Sequence, residues 1–234
     1  MFYFYLILKN LRPELIIESG VFKGQSTWLI ENTLPNSDII SIDIDLKKRE
    51  YISKKAEYRT IDFKFNEFKN IPTNSLVFFD DHVNHVDRIK QSNFFGIKNI
   101  ILEDNYSSYD GDFQTLKQIS NDHNFNHQPG FFSLIKTYLI FGNIILKKIF
   151  SSKYNSNFDL NYVGQRIRDG YFNKETSNYL NNLIETYYEF PPLVSPKKNS
   201  DTSKKPIFNE IPENLIKYSD QLFDYSYITY IKLK

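Results

Sequence analysis

Five short apolar runs, each closed by a carboxylate and separated by stretches of helical character, occupy the first 105 residues and leave few folds open. They cover residues 15–18, 38–43, the weaker 58–62, 76–80 and 99–102, the last followed by Glu103 and Asp104. Runs this short read as strands, and the stretches 24–32, 46–56 and 83–95 between them read as helices. Apolar strands alternating with helices make a mostly parallel sheet covered on both faces, a three-layer, doubly wound α/β fold. In open sheets of this kind ligands bind at the carboxyl ends of the strands. A row of acids at those ends is therefore a site expectation with a geometric reason.

Beyond residue 106 the alternation stops. Residues 131–150 (FFSLIKTYLIFGNIILKKIF) are strongly apolar but broken by Lys136, Gly142 and Asn143. The lysine and asparagine disfavour a membrane span. A lid helix and a helix lying on a membrane surface, with Lys147 and Lys148 at its polar edge, both fit. Residues 162–188 read as helical, 195–206 as a polar loop, and 223–233 as a closing antiparallel strand rich in Tyr, Ile and Thr. The expected organisation is a core at 1–106, a helical insertion or lid at 107–194, and a loop with a closing strand at 195–234. The N-terminal MFYFYLILKN lacks a basic leader and a small-residue cleavage site, so it reads as a helix packed on the first strand.

Composition excludes several chemistries. There is no cysteine, so disulfides, thiolate metal sites and cysteine nucleophiles are absent, which fits a reducing, cytoplasmic setting. The formal net charge is +1, which supplies no global field for nucleic acid.

The sharpest motif is Glu18-Ser19-Gly20-Val21-Phe22-Lys23-Gly24-Gln25-Ser26, directly after the first strand and opening a helix. Gly20 allows a tight turn and close ligand approach. Gly24 allows close packing at the helix start, where Ser26 can cap or donate. An acid stands where a dinucleotide site usually has its first glycine. A pyrophosphate would avoid Glu18, whereas an ammonium would be drawn to it. Asp43 lies about 23 residues beyond Gly20, the offset of a ribose-hydroxyl acceptor, with Asp45 as its neighbouring alternative. Asp62 ends the third run, in reach of an adenine amino group. Taken singly, each acid is equally well a cap or turn residue.

In this ordered set, residues 14–105 resemble the Rossmann-like class I methyltransferases that use S-adenosylmethionine (SAM). The resemblance implies that Glu18, Gly20, Gly24 and Ser26 hold the methionine part of SAM and Asp43 the ribose. A second cluster, Asp80-Asp81-His82 with Glu103-Asp104-Asn105, falls at two neighbouring strand ends. It resembles the branch with the cephalosporin-hydroxylase-like and macrolide-sugar O-methyltransferase enzymes, in which carboxylates hold Mg²⁺ near substrate hydroxyls. The resemblance implies Asp81, Glu103 and Asp104 as metal ligands, Asp80 in the reacting site, and His82 or His85 as general base. Asp80 and Asp81 as caps of the following helix, or as direct contacts to SAM or substrate, are the competing readings. The expectation is O-methylation of a small molecule such as a sugar or secondary metabolite. An NAD-dependent sugar oxidoreductase and a non-catalytic binding protein of the same fold are the rivals.

Overall fold

The structure, a computed structural model, describes residues 1–106, 113–121, 174–191 and 227–234, together with positions 207 and 213. Seven strands form one sheet: β1 (Leu15–Ser19), β2 (Asp38–Ile42), β3 (Glu57–Arg59), β4 (Ser75–Phe79), β5 (Asn99–Leu102), β6 (Ile184–Glu189) and β7 (Thr229–Leu233). Their order is β3-β2-β1-β4-β5-β7-β6. The pairs from β3 through β5 are parallel, and β7 runs antiparallel to both β5 and β6. This is the doubly wound, Rossmann-like arrangement expected. The strand order reverses between β1 and β4, the topological switch point at which such sheets bind ligands.

Alternate residues of the central strands feed two cores. Ile16, Leu76, Phe78 and Ile101 face one side, where Tyr3, Phe4, Ile7 and Leu8 of α1 (Phe2–Leu11) and Ile30 of α2 (Gln25–Thr33) cover them. The Phe4 ring stacks on Phe78 with centroids 4.2 Å apart, so α1 does pack on the sheet. Leu15, Ile17, Val77, Phe79, Ile100 and Leu102 face the other side. There they meet Val86 and Ile89 of α3 (His85–Phe94), Leu116 and Ile119 of α4 (Leu116–Asn121) and Leu180 of α5 (Lys174–Leu183). Every residue of β1 and of β4 is buried, as strands covered on both faces must be.

The register sets the level of the site. Ser19 pairs with Ile42 on one side and Phe79 on the other, and Phe79 pairs with Leu102. The next residues, Asp43, Gly20, Asp80 and Glu103, thus form one rim. Ladder-like bonds carry on into it: Gly20 N–H to Ile42 O at 2.9 Å, Asp80 N–H to Ser19 O at 2.8 Å and Glu103 N–H to Phe79 O at 3.0 Å.

Two expectations change. The stretch 46–56 is not a helix beyond a single 3₁₀ turn, Leu46–Lys48. Asp45 caps the start of that turn, Arg49 is extended, and the N–H groups of Glu50 and Tyr51 then bond back to Lys23 O. Residues 184–189, expected within a helical insertion, form β6, because β7 offers them an antiparallel partner. Residues 107–112, 131–150 and 195–206 lie outside the described residues. Among the described residues, no helix is long and apolar enough to cross a membrane.

Candidate active site

The elbow between β1 and α2 is built on Glu18. Its carboxylate is fully buried and accepts from the hydroxyls of Ser26, of Thr27 at 2.6 Å and of Ser41 at 2.7 Å. Burial pushes the Glu18 carboxyl above its usual range, against those three hydroxyls, which work the other way. Glu18 and Ser26 are therefore internal braces joining β1, α2 and β2, not groups facing a ligand. Sequence reasoning aimed Glu18 at an ammonium because it could not see that Ser26, Thr27 and Ser41 would converge on it.

Gly20 and Gly24 do what their positions predicted. Gly20 has φ +100°, and a Cβ there would lie 1.9 Å from Asp80 O. Gly24, the residue before α2, has φ +87°, and a Cβ there would lie 2.6 Å from Tyr51 O. Between them Phe22 is left-handed at φ 44° and exposed. Asp43 holds this loop, its Oδ2 accepting from the N–H of Val21 and of Phe22, both at 2.9 Å, while Oδ1 accepts from Asp45 N–H at 2.8 Å. Ile44 beside it is strongly exposed, an apolar surface at the end of β2.

Across the switch point lie Asp80, Asp81, His82, Glu103 and Asp104, which line one cleft with His85 and Phe113. His82 and Asp104 are both left-handed, at φ 55° and 56°, and His82 Nδ1 stands 3.8 Å from Asp104 Oδ2. Non-glycine residues in that region are strained and gather at functional sites. Asp80 is pushed up to about 9, by burial first and then by the charges of Glu103 and Asp104. Glu103 is raised as well, chiefly by burial. This corner holds more negative charge than its surroundings neutralise, and it would take a cation.

Proteins of similar fold are known. A structure of CmcI with Mg and SAM aligns at 20% identity over 53% of this chain and 53% of its own, with TM-score 0.38. A Bacillus cereus O-methyltransferase in complex with SAH aligns at 12% identity over 99% and 79%, with TM-score 0.46. The plantazolicin methyltransferase BpumL in complex with SAH aligns at 13% over 99% and 82%, with TM-score 0.44. The chain spans only a little over half the length of the CmcI chains. No family model and no curated protein matches the sequence. What the chain does must therefore be read from its own rim.

The expected metal ligands separate. Asp80, His82 and Asp104 each offer one ligand atom, and these atoms all lie within 4.8 Å of one another. That donor set fits a divalent cation. Asp81 is turned away: its Oδ2 accepts from Arg88 Nη2 at 2.8 Å and from Ser19 Oγ at 2.5 Å. Glu103 bonds to Asp80 rather than completing the trio. Asn105 also points inward, to Thr229 Oγ1 at 2.7 Å, Tyr187 OH at 3.1 Å and Lys117 N–H at 2.8 Å. The capping reading of Asp80 and Asp81 gives way, because Asn84 caps α3 by accepting from Val86 N–H at 2.8 Å.

His85 differs most from its expected role as a base. It is buried, its Nε2–H donates to Glu103 O at 3.0 Å, and its Nδ1 accepts from Leu116 N–H at 3.2 Å. Burial drives it down to about 3. Both ring nitrogens are engaged, so His85 links β5, α3 and α4. Asp62 is tied to Arg88, a residue sequence reasoning passed over. Helical spacing held a signal for it: Arg88 falls on the same face as His85, Ile89 and Ser92, all buried.

Proposed function

We propose that the chain is a SAM-dependent methyltransferase acting on an oxygen of a small molecule, held in a cytoplasmic setting. The observation that carries this reading is the surplus of negative charge at Asp80, Glu103 and Asp104 beside the Gly20 elbow. SAM brings an ammonium and a sulfonium to that corner, and both would relieve it. A dinucleotide would bring a pyrophosphate against the same carboxylates, which disfavours the oxidoreductase reading. Bound SAM supplies a methyl group already activated for in-line displacement.

The chain's residues have separate tasks in this reading. Gly20, with no Cβ, lets the cofactor approach the backbone of the elbow. Asp43 fixes the loop through Val21 and Phe22, and its oxygens face the ribose at the rim. The carboxylate of Asp80 takes the ammonium side. His82 accepts the proton of the acceptor hydroxyl, and Asp104 at 3.8 Å stabilises the charge that the ring gains. Asp80, His82 and Asp104 would also hold a divalent cation such as Mg²⁺, which supplies charge that acidifies a neighbouring hydroxyl. Positioning and deprotonation are the contributions of the protein to a displacement of this kind.

Calorimetric titration with S-adenosylhomocysteine (SAH), with NADH as the control, tests the cofactor. SAH binds and NADH does not. Binding of NADH without SAH would overturn the proposal. Mg²⁺ and Mn²⁺ in parallel titrations report on the cation trio, and Asp104→Asn is expected to weaken either ion.

A further inference from the structure

Arg88 is the largest of the fully buried side chains, carried by α3 beneath the rim. Its Nη1 donates to Asp62 Oδ1 at 3.0 Å and to Gln91 Oε1 at 2.7 Å. Its Nη2 donates to Asp62 Oδ2 at 2.9 Å and to Asp81 Oδ2 at 2.8 Å. Asp81 also accepts from Ser19 Oγ at 2.5 Å. One guanidinium thereby joins the ends of β3 and β4 and, through Asp81, the start of the glycine elbow. Its Nε is the one buried side-chain polar atom without a partner among the described residues. A bare buried donor is unfavourable, so the fork is placed for its carboxylates at the expense of its own satisfaction. A planar fork can fix both oxygens of a carboxylate at once, which a lysine cannot.

The bond inventory at Asp62 leaves one acceptor site. Oδ1 accepts from Arg88 Nη1 and from Lys64 N–H at 3.0 Å, while Oδ2 accepts only from Arg88 Nη2. Each carboxylate oxygen has two lone pairs, so Oδ1 is saturated and Oδ2 keeps one. The Asp62 side chain is 28% exposed, so that lone pair is accessible at the rim. Burial works to raise the Asp62 carboxyl, yet the bonds from Arg88 and Lys64 and the Arg88 charge hold it below its usual range.

We propose that Arg88 is a positioning residue: by gripping Asp62 it aims the remaining Oδ2 lone pair at the base of the bound nucleoside and so selects a 6-amino over a 6-oxo purine. The inference rests on the proposed nucleoside cofactor. A 6-amino group donates to that lone pair, whereas a 6-oxo group sets an acceptor against it.

The test is calorimetry with SAH and its 6-oxo analogue S-inosylhomocysteine, on the full chain. Wild type prefers SAH by about tenfold or more, the effect of one hydrogen bond to a charged group. In Asp62→Asn the amide oxygen is drawn to the Oδ1 position, where two donors meet, and the NH₂ takes the Oδ2 position. The preference then vanishes or reverses. Arg88→Lys keeps the charge but loses the grip on both oxygens, so the preference falls. An arginine needed only for folding would lower the melting temperature and weaken both ligands alike, leaving their ratio unchanged. If Arg88→Lys fails to fold, Asp62→Asn decides alone. Wild type binding both ligands equally, or Asp62→Asn keeping the wild-type ratio, overturns the inference and leaves the cofactor proposal standing. Wild type binding neither ligand overturns the cofactor proposal itself, and this inference with it.

Discussion

Glu18 lies wholly enclosed among three hydroxyls from two other elements, so its substitutions separate bracing from binding. Glu18→Ala leaves those hydroxyls without their acceptor and is expected to destabilise the fold by about 3 kcal/mol, read from urea unfolding. Glu18→Gln keeps the volume and a polar end, and its SAH affinity should stay within about threefold of wild type, because the side chain does not reach the ligand. A large loss of SAH affinity in a well-folded Glu18→Gln would restore the ammonium contact that the sequence alone implied. Gly20 is stricter, since any Cβ would meet Asp80 O at 1.9 Å.

Among the elements, α3 ties the site to its support. Its first residue, His85, is bonded to the end of β5 and to the start of α4, and burial holds it down to about 3. An unfolded histidine takes up a proton near pH 6.5, while this one stays neutral in the fold. Stability from this residue is therefore complete above about pH 6.5 and is lost as pH falls towards 3, by about 1.4 kcal/mol per unit. His85→Gln should remove that component. Urea unfolding of both proteins between pH 6.5 and 4.5 checks it, and parallel slopes for the two would count against the buried, neutral ring. Arg88, one turn further along α3, serves the rim by charge where His85 serves it by hydrogen bonds.

For the whole molecule, burial is deepest at the switch point and thinnest at one edge. β1 and β4 are buried throughout, whereas β3 has three residues, none of them buried. Amide hydrogen exchange is expected to be slowest in β1 and β4 and fastest in β3 among the core strands. SAH at about 100 times its Kd should add about 2.7 kcal/mol to the stability by mass action, visible as a rise in melting temperature.

Period and punctuation alone determined the five parallel strands, the elbow at Gly20 and Gly24, and the rim position of Asp43, Asp80 and Asp104. These follow from local rules: short apolar runs make strands, glycine permits left-handed turns, and parallel register levels the strand ends. Which acids face outward was decided only by the tertiary structure. Glu18 and Asp81 sit in the same motifs as Asp43 and Asp80, yet Ser26, Thr27 and Ser41 enclose the first and Arg88 takes the second. β6 depends likewise on a partner strand about 45 residues further along the chain. A carboxylate's role depends on its nearest donors in space, and those donors come from distant parts of the chain.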